Sequence, residues 1–432
     1  MKFTTSQAAR ATNGSVFGPE TEFDGATQDS RAVVPGQLFV PLVAERDGHD
    51  FVQQAIDAGA TAYLTHDVPT MGSAVIVENT TTALRDLASA ARDRIGGPVV
   101  AITGSVGKTS TKDLLASVLH RSMKTHASVR SFNNEIGVPL TLLNTPDDTE
   151  VAVVEMGARG IGHIALLCEV ARPTIGIVTI VAPAHTGEFG SVEAIAVAKG
   201  EIVEGLPSSG LAVLNGDNDL VRAMASRTEA TVLTFGTTSD CDVAVTKIEV
   251  DHDLRATFEI ATEWGRVMAR PTTRGAHMAT NVAAAVGTAL WMGMPPEAVE
   301  AGLAEAELSP WRMDVQRSAA GALVINDTYN ANPTSMRGAL DGLSRLPQRR
   351  KIAVVGYMGE LGDSEAADHL AIGQEIMAIG AELIAVGTDL YGVDPVGDPV
   401  ETIGRLDDDT AILVKGSRSA GLETVAEALL AN

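Results

Sequence analysis

Cysteine is almost missing from this chain of 432 residues: Cys168 and Cys241 are the only two. Thiols so far apart in sequence do not make a disulfide framework, so stapled secreted scaffolds are excluded and reduced thiols are expected. Basic residues are also in short supply, 32 Lys and Arg against 55 Asp and Glu, for a net charge of −23. That field repels polyanions, and no local basic patch offsets it, so no nucleic-acid partner is expected. It does not exclude a nucleotide, whose phosphates are met by local dipoles and a metal ion. No apolar run approaches the roughly 18 residues of a membrane-spanning helix, so no integral membrane segment is expected. Met1-Lys-Phe-Thr-Thr-Ser-Gln7 also lacks the apolar core of a signal peptide. The expected location is cytoplasmic.

What is present is a globular composition, 45% hydrophobic and 20% charged, in a chain too long for one core. Its most informative stretch is Val99-Val-Ala-Ile-Thr-Gly-Ser-Val-Gly-Lys-Thr-Ser110. The apolar run from Val99 to Ile102 reads as a buried parallel strand, and Leu114, Leu115, Val118 and Leu119 mark one face of the helix that follows. Between them, Gly104, Ser105, Val106 and Gly107 form a short loop that leads into Lys108, Thr109 and Ser110. Such a loop cradles phosphate: backbone N–H groups and the helix N-terminus face the anion, Lys108 reaches the terminal phosphates, and the Thr109 hydroxyl suits a Mg²⁺ site. The motif is the short form G-x-x-G-K-T, because Ile102 stands where the longer form has its first glycine. An ordinary strand-to-helix turn is the bland alternative, and the flanking elements, in phase with the motif, favour a nucleotide site.

Around it the chain reads as three α/β domains. Residues 1–96 alternate short strands (Leu38 to Val43, Tyr63-Leu64, Ala74 to Val77) with helices (His49 to Ala58, Thr82 to Ile95), and Gly96-Gly-Pro98 punctuates their end. Residues 97–309 continue as βα units, with strands at Val151 to Glu155, Thr174 to Val181 and Leu211 to Leu214. From Val232 to Ala269 period-two alternation suggests a small antiparallel excursion. Residues 310–432, after Ser309-Pro310-Trp311, read as an open α/β sheet with strands at Leu323 to Asn326, Ile352 to Val355, Leu383 to Val386 and Ile412 to Val414.

Glu155 ends a buried strand of the same domain as the phosphate loop, where a carboxylate holds Mg²⁺ against phosphates, or equally caps a helix or meets solvent. By residue type alone, His185 after a strand reads as a structural histidine, and Lys199 on a small-residue helix face as a surface lysine. Asp327, Tyr329, Asn330 and Asn332 crowd a turn more heavily than a turn requires. Lys415-Gly-Ser-Arg418 offers two cations after another buried strand, suited to a carboxylate or phosphate.

Together these pieces resemble the Mur ligases, which join amino acids or peptides to UDP-N-acetylmuramic acid in peptidoglycan synthesis. The likeness runs along nearly the whole chain. Besides the phosphate loop it is carried by Asp29-Ser-Arg31 with Gly36-Gln-Leu-Phe39, Asn133-Asn-Glu-Ile-Gly-Val-Pro139, Ala184-His185 with Phe189-Gly-Ser191, and Ala198-Lys-Gly-Glu201. Asp327-Thr-Tyr-Asn-Ala-Asn-Pro333, Met358-Gly-Glu-Leu-Gly362 and Leu413-Val-Lys-Gly-Ser-Arg418 complete it. These stretches are similar to those of the members that add D-Ala-D-Ala to UDP-N-acetylmuramoyl-tripeptide.

The resemblance implies a central P-loop, parallel-sheet ATPase domain between a UDP-substrate domain and a Rossmann-like C-terminal domain, working as a monomer with ATP and Mg²⁺. It assigns Ser30 and Arg31 to the UDP end of the substrate, and Asn133 and Asn134 to the muramoyl-peptide. Thr109 and Glu155 become Mg²⁺ ligands, and His185 and Lys199, the lysine as a carbamate, a second-metal site. Asn281 is implied at the adenine, Arg312 at the phosphates and Asp327 at the ribose. Tyr329, Asn330, Asn332, Lys415, Ser417 and Arg418 would frame the dipeptide. Lys108, His185, Lys199 and Arg312 are the implied catalytic set. The chain departs from the usual family pattern at Asn326, Tyr357, Met278 and Trp311. A sister amide ligase with another acceptor, of the folylpolyglutamate kind, and a nucleotide-binding regulator without catalysis are the rival readings. The first should lack the Asn133 and Tyr329 stretches, and the second has no need of Lys108, Thr109, Glu155, His185 and Lys199 together.

Overall fold

The computed structural model describes residues 1–129, 131–183 and 186–432. Its largest sheet has nine strands, and the phosphate-loop strand Val99–Thr103 lies inside it, between Ile175–Val178 and Val151–Glu155. Outward from Ile175–Val178 follow Leu211–Asn215, Thr231–Gly236, Val243–Val250, Ala256–Thr262 and Gly265–Ala269, and Thr125–Ala127 closes the other edge. Pairing is parallel throughout except between the last three strands of the long side. The segment expected to be antiparallel from Val232 to Ala269 is so only from Val243 on, since Thr231–Gly236 pairs parallel with both its neighbours. It extends the central sheet, which is mixed rather than wholly parallel.

The inner strands are continuous apolar runs because helices cover both faces. Val100 and Ile102 pack with Leu114, Leu115 and Val118 of the helix Lys108–His120 and with the alanine-rich helix Ala279–Trp291. Val99 and Ala101 face the other way, into a core that continues through Leu84 and Leu87 of the helix Thr80–Arg94 to Phe3 and Leu38. The amino-terminal sheet thus shares a core with the central one. It runs Ser15–Phe17, Ala74–Ile76, Ala62–Thr65, Leu38–Phe39, Ala26–Thr27, parallel except for its first pair. The expected strand from Leu38 to Val43 is only two residues long, and the expected helix from His49 divides into a 3₁₀ turn, Gly48–Phe51, and the helix Val52–Asp57.

The third sheet runs Asp314–Arg317, Leu323–Asp327, Thr410–Lys415, Arg350–Val355, Glu382–Ala385, with only its first pair antiparallel. Loops at the carboxyl ends of its strands meet those of the central sheet, the usual place for a ligand in α/β folds.

Candidate active site

The loop that follows Val99–Thr103 is tied by side-chain hydrogen bonds to the segment that ends the neighbouring strand Ile175–Val178. Thr179 Oγ1 donates to Val106 O at 2.6 Å, and Ser105 Oγ donates to Ala182 O at 2.9 Å. Gly107, at φ 88°, precedes the helix Lys108–His120, and a Cβ there would sit 2.3 Å from Asn281 Oδ1. A Cβ on Gly104 would sit 1.8 Å from Thr179 Oγ1. Backbone therefore lies bare where a phosphate would rest. Lys108 is folded back so that its Nζ donates to Gly104 O at 2.7 Å, and burial pushes its ammonium below its ordinary value.

Thr109 Oγ1 donates to Glu155 Oε2 at 2.7 Å, and Asn133 Nδ2 donates to the other carboxylate oxygen at 2.7 Å. Glu155 is 1% exposed. A hydroxyl and a carboxylate oxygen at one spot are the hard donors Mg²⁺ selects, so the residues fit that ion. Arg312 reaches across from beside the third sheet. Its Nη2 donates to Thr109 Oγ1 at 2.9 Å, its guanidinium carbon lies 4.0 Å over the Tyr329 ring, and its Nε is buried without a partner among the described residues. An orphaned donor on a cation beside the phosphate cradle suits an anion.

These groups line a cavity of about 310 Å³ between the central and third sheets. Ser105, Val106, Gly107, Lys108, Thr109 and Ser110 form one wall, with Asn133, Glu155 and Asn281 beside them. Arg312, Asp327, Tyr329, Asn330, Asn332 and Lys415 form the other. A wider cleft of about 800 Å³ at the opposite edge of the central sheet, beside Gly96 and Trp291, holds none of the candidate residues.

The chain matches the Mur ligase middle domain over residues 102–289 and the Mur ligase glutamate ligase domain over residues 311–418. It is 36% identical to the UDP-N-acetylmuramoyl-tripeptide–D-alanyl-D-alanine ligase of Escherichia coli (strain K12), covering 99% of this chain and 98% of that protein. The chain belongs to the Mur ligase family. Among solved structures, MurF from Acinetobacter baumannii superposes with a TM-score of 0.88 at 30% identity, covering 100% of this chain and 99% of that one. The MurF ligase of Thermotoga maritima in complex with ADP gives 0.83 at 27% identity, covering 94% and 97%.

The remaining candidates of this Mur ligase are placed unevenly. Lys199, in the helix Val192–Glu204, is 3% exposed and does not line the cavity. Among the described residues it has no hydrogen bond or ion pair, and burial, with Lys108 nearby, drives its ammonium far below the ordinary value. His185 lies outside the described residues. Ser30 and Arg31 stand apart at the carboxyl edge of the amino-terminal sheet: Ser30 Oγ donates to Gln54 at 3.1 Å, and exposed Arg31 pairs with Asp29 at 2.8 Å. Asn134 Oδ1 accepts from Gly137 N at 2.8 Å, in the turn that leads into the helix Gly137–Leu143. In the third sheet Lys415 is buried in an ion pair with Asp327 and also donates to Asn330 O at 2.9 Å. Asp327 further accepts from Met313 N at 3.0 Å, so this pair sets the shape of the loop. Asn332 caps the helix Pro333–Arg345, Ser417 Oγ accepts from Gly359 N at 2.8 Å, and Arg418 lies over Trp311 and pairs with Glu423.

The unusual residues have local partners. Met278 offers its sulfur to Asn281 Nδ2 at 3.5 Å, and Trp311 takes φ 63° under the Arg418 guanidinium. Two residues that brace the loop went unremarked in the sequence: Thr179, and Asn215, whose Nδ2 donates to Thr179 O at 2.6 Å. The signal was available, since each is a polar residue at or just past the end of an apolar strand next to the phosphate-loop strand or one removed.

Proposed function

We infer that this Mur ligase uses ATP to join D-alanyl-D-alanine to UDP-N-acetylmuramoyl-tripeptide, forming the pentapeptide precursor of peptidoglycan. The observation that carries the reading is the cavity in which Lys108, Thr109 and Glu155 meet Arg312 and Tyr329, in a chain similar end to end to ligases of that name. In the reaction the tripeptide's terminal carboxylate attacks the γ-phosphorus, giving an acyl phosphate and ADP. The dipeptide amine then attacks the acyl carbon, and phosphate leaves. Two anions must be brought together and the growing charge neutralised, which requires placed cations rather than a covalent nucleophile. Lys108 and Arg312 are those cations, and Glu155 orients the Thr109 hydroxyl.

Mg²⁺, held by Thr109 and Glu155 and at a second position by His185 and a carbamylated Lys199, would supply further neutralisation of phosphate charge. Support for the Lys199 assignment is its burial without an anionic partner among the described residues, which an ammonium tolerates poorly. Asn281, beneath the Gly107 turn, suits the adenine side, and Asp327 the ribose. Residues 1–96 would bind the UDP end through Ser30 and Arg31, residues 97–309 ATP, and residues 310–432 the dipeptide. The working unit would be a monomer. Among the described residues no helix is long and apolar enough to cross a membrane, which fits work in the cytoplasm on soluble substrates. The deciding experiment measures ADP release with each substrate omitted in turn. Release that needs both UDP-tripeptide and D-Ala-D-Ala is the expected result. Release driven equally by another amino acid would favour a sister ligase, and none under any combination a regulator.

A further inference from the structure

We propose that the amino-terminal sheet carries a transition-metal site of its own, built by Asp47, His49 and His66. Asp47 and His49 open the 3₁₀ turn Gly48–Phe51, and His66 follows directly on the strand Ala62–Thr65, so βα connectivity brings all three to the carboxyl edge of one parallel sheet. One ligand atom from each residue lies within 4.8 Å of the others. The His49 and His66 rings meet edge to face at 4.2 Å between centroids.

The internal bonding prepares the cluster for an ion. Asp47 Oδ1 accepts from the His49 backbone N at 2.9 Å and lies 2.6 Å from its Nδ1. With the Nδ1 proton donated there, the lone pair is on Nε2. That nitrogen is buried without a hydrogen-bond partner among the described residues, on a side chain 9% exposed. A carboxylate that fixes the histidine tautomer and leaves the other nitrogen free is the arrangement that supports metal-bound histidines. His66 is more open, 35% exposed, and its Nε2 lies 3.6 Å from Asp67 Oδ1, so an ion has an entry path and a second carboxylate close by. The ligands are then the His49 and His66 imidazoles, with Asp47 bonded to the far side of the His49 ring as support, and imidazole nitrogens select Zn²⁺, Co²⁺ or Ni²⁺ over Mg²⁺, whose preferred ligands are oxygens. The site is separate from Thr109 and Glu155, which belong to the central sheet.

The test titrates the full chain with Zn²⁺, and in parallel with Co²⁺ followed by visible absorption, in excess Mg²⁺ and ADP so that the phosphate site is filled. One tight equivalent is expected, with the intense bands of nitrogen-ligated, low-coordinate Co²⁺. His66→Gln, at an open position, removes a ligand and should weaken Zn²⁺ at least as much as Asp47→Asn, which keeps the turn's cap and should cost about 10–100-fold. Glu155→Gln should leave this binding in place. Binding that survives His66→Gln, binding that disappears in Glu155→Gln, or binding only at near-millimolar Zn²⁺ would each overturn the proposal.

Discussion

Replacing Arg312 tests the two-walled cavity most directly, because this side chain joins its halves. The guanidinium donates to Thr109 Oγ1 at 2.9 Å, lies 4.0 Å over Tyr329, and keeps Nε buried and unpartnered among the described residues. If that free edge meets charge growing on the transferring phosphoryl group, Arg312→Ala removes one preorganised donor, a loss of about 10²–10³ in kcat. The stacking on Tyr329 adds roughly 1 kcal/mol, about a fivefold effect, and falls on closure rather than on chemistry. The alanine variant should therefore lose about 10³ in kcat/KM. Arg312→Lys keeps a cation but loses the flat face and the fork, so its loss should lie between that of alanine and none. Tyr329→Leu should cost only the several-fold stacking share. Steady-state ADP release with all three substrates, alongside ADP binding by calorimetry, separates the terms. An Arg312→Ala enzyme with kcat within about threefold of the parent and weakened nucleotide binding alone would refute the argument, leaving Arg312 as an anchor.

How far these features could be read beforehand depended on burial. Val151–Glu155 was legible to the residue because both faces of that strand are covered, which writes an unbroken apolar run into the chain. The strands Lys2–Thr4, Ser15–Phe17 and Glu22–Asp24 were not read at all. They bury one residue or none, too little for a period to emerge. From Val243 on, alternation signalled antiparallel strands correctly. Their continuity with the central sheet depends on the parallel contact of Phe235 and Gly236 with Val243 and Ala244, which no local pattern encodes. The site divides the same way. Lys108 and Thr109 stand in a contiguous motif, whereas the pairing of Lys415 with Asp327 spans 88 residues. Neither residue's local sequence says that each is largely occupied by the other. Arg312 was reached only through family resemblance, and its orphaned Nε only through the fold.

Four further outcomes follow from the same geometry. Gly107→Ala, which places a methyl 2.3 Å from Asn281 Oδ1 at φ 88°, should weaken ADP binding and lower the melting temperature, a strain of about 1–3 kcal/mol, read by calorimetry and thermal unfolding. Arg31→Ala should raise the KM for the UDP-substrate more than it lowers kcat, because Arg31 lies on a different sheet from the chemistry; a collapsed kcat at unchanged KM would contradict this. Burial pushes His126 from its ordinary 6.5 down to about 4, so the fold holds it neutral. The unfolded chain binds that proton first, so the histidine's contribution is whole above about pH 6.5 and is lost as pH falls toward 4, at most about 3 kcal/mol. Urea unfolding across that range should show a flatter acid limb for His126→Gln. The last outcome concerns Lys199. Its burial beside Lys108, with no anion bonded to it among the described residues, disfavours an ammonium and favours the neutral amine that carbamylation needs. A carbamate puts negative charge on oxygens, the donors Mg²⁺ takes, where an ammonium has no lone pair to give. Lys199→Ala should therefore be severely impaired, short carboxylates added to it should restore part of the rate, and Lys199→Glu should retain some. A crystal structure with nucleotide and Mg²⁺ bound, showing an unmodified lysine, or an alanine variant of normal rate, would rule the carbamate out.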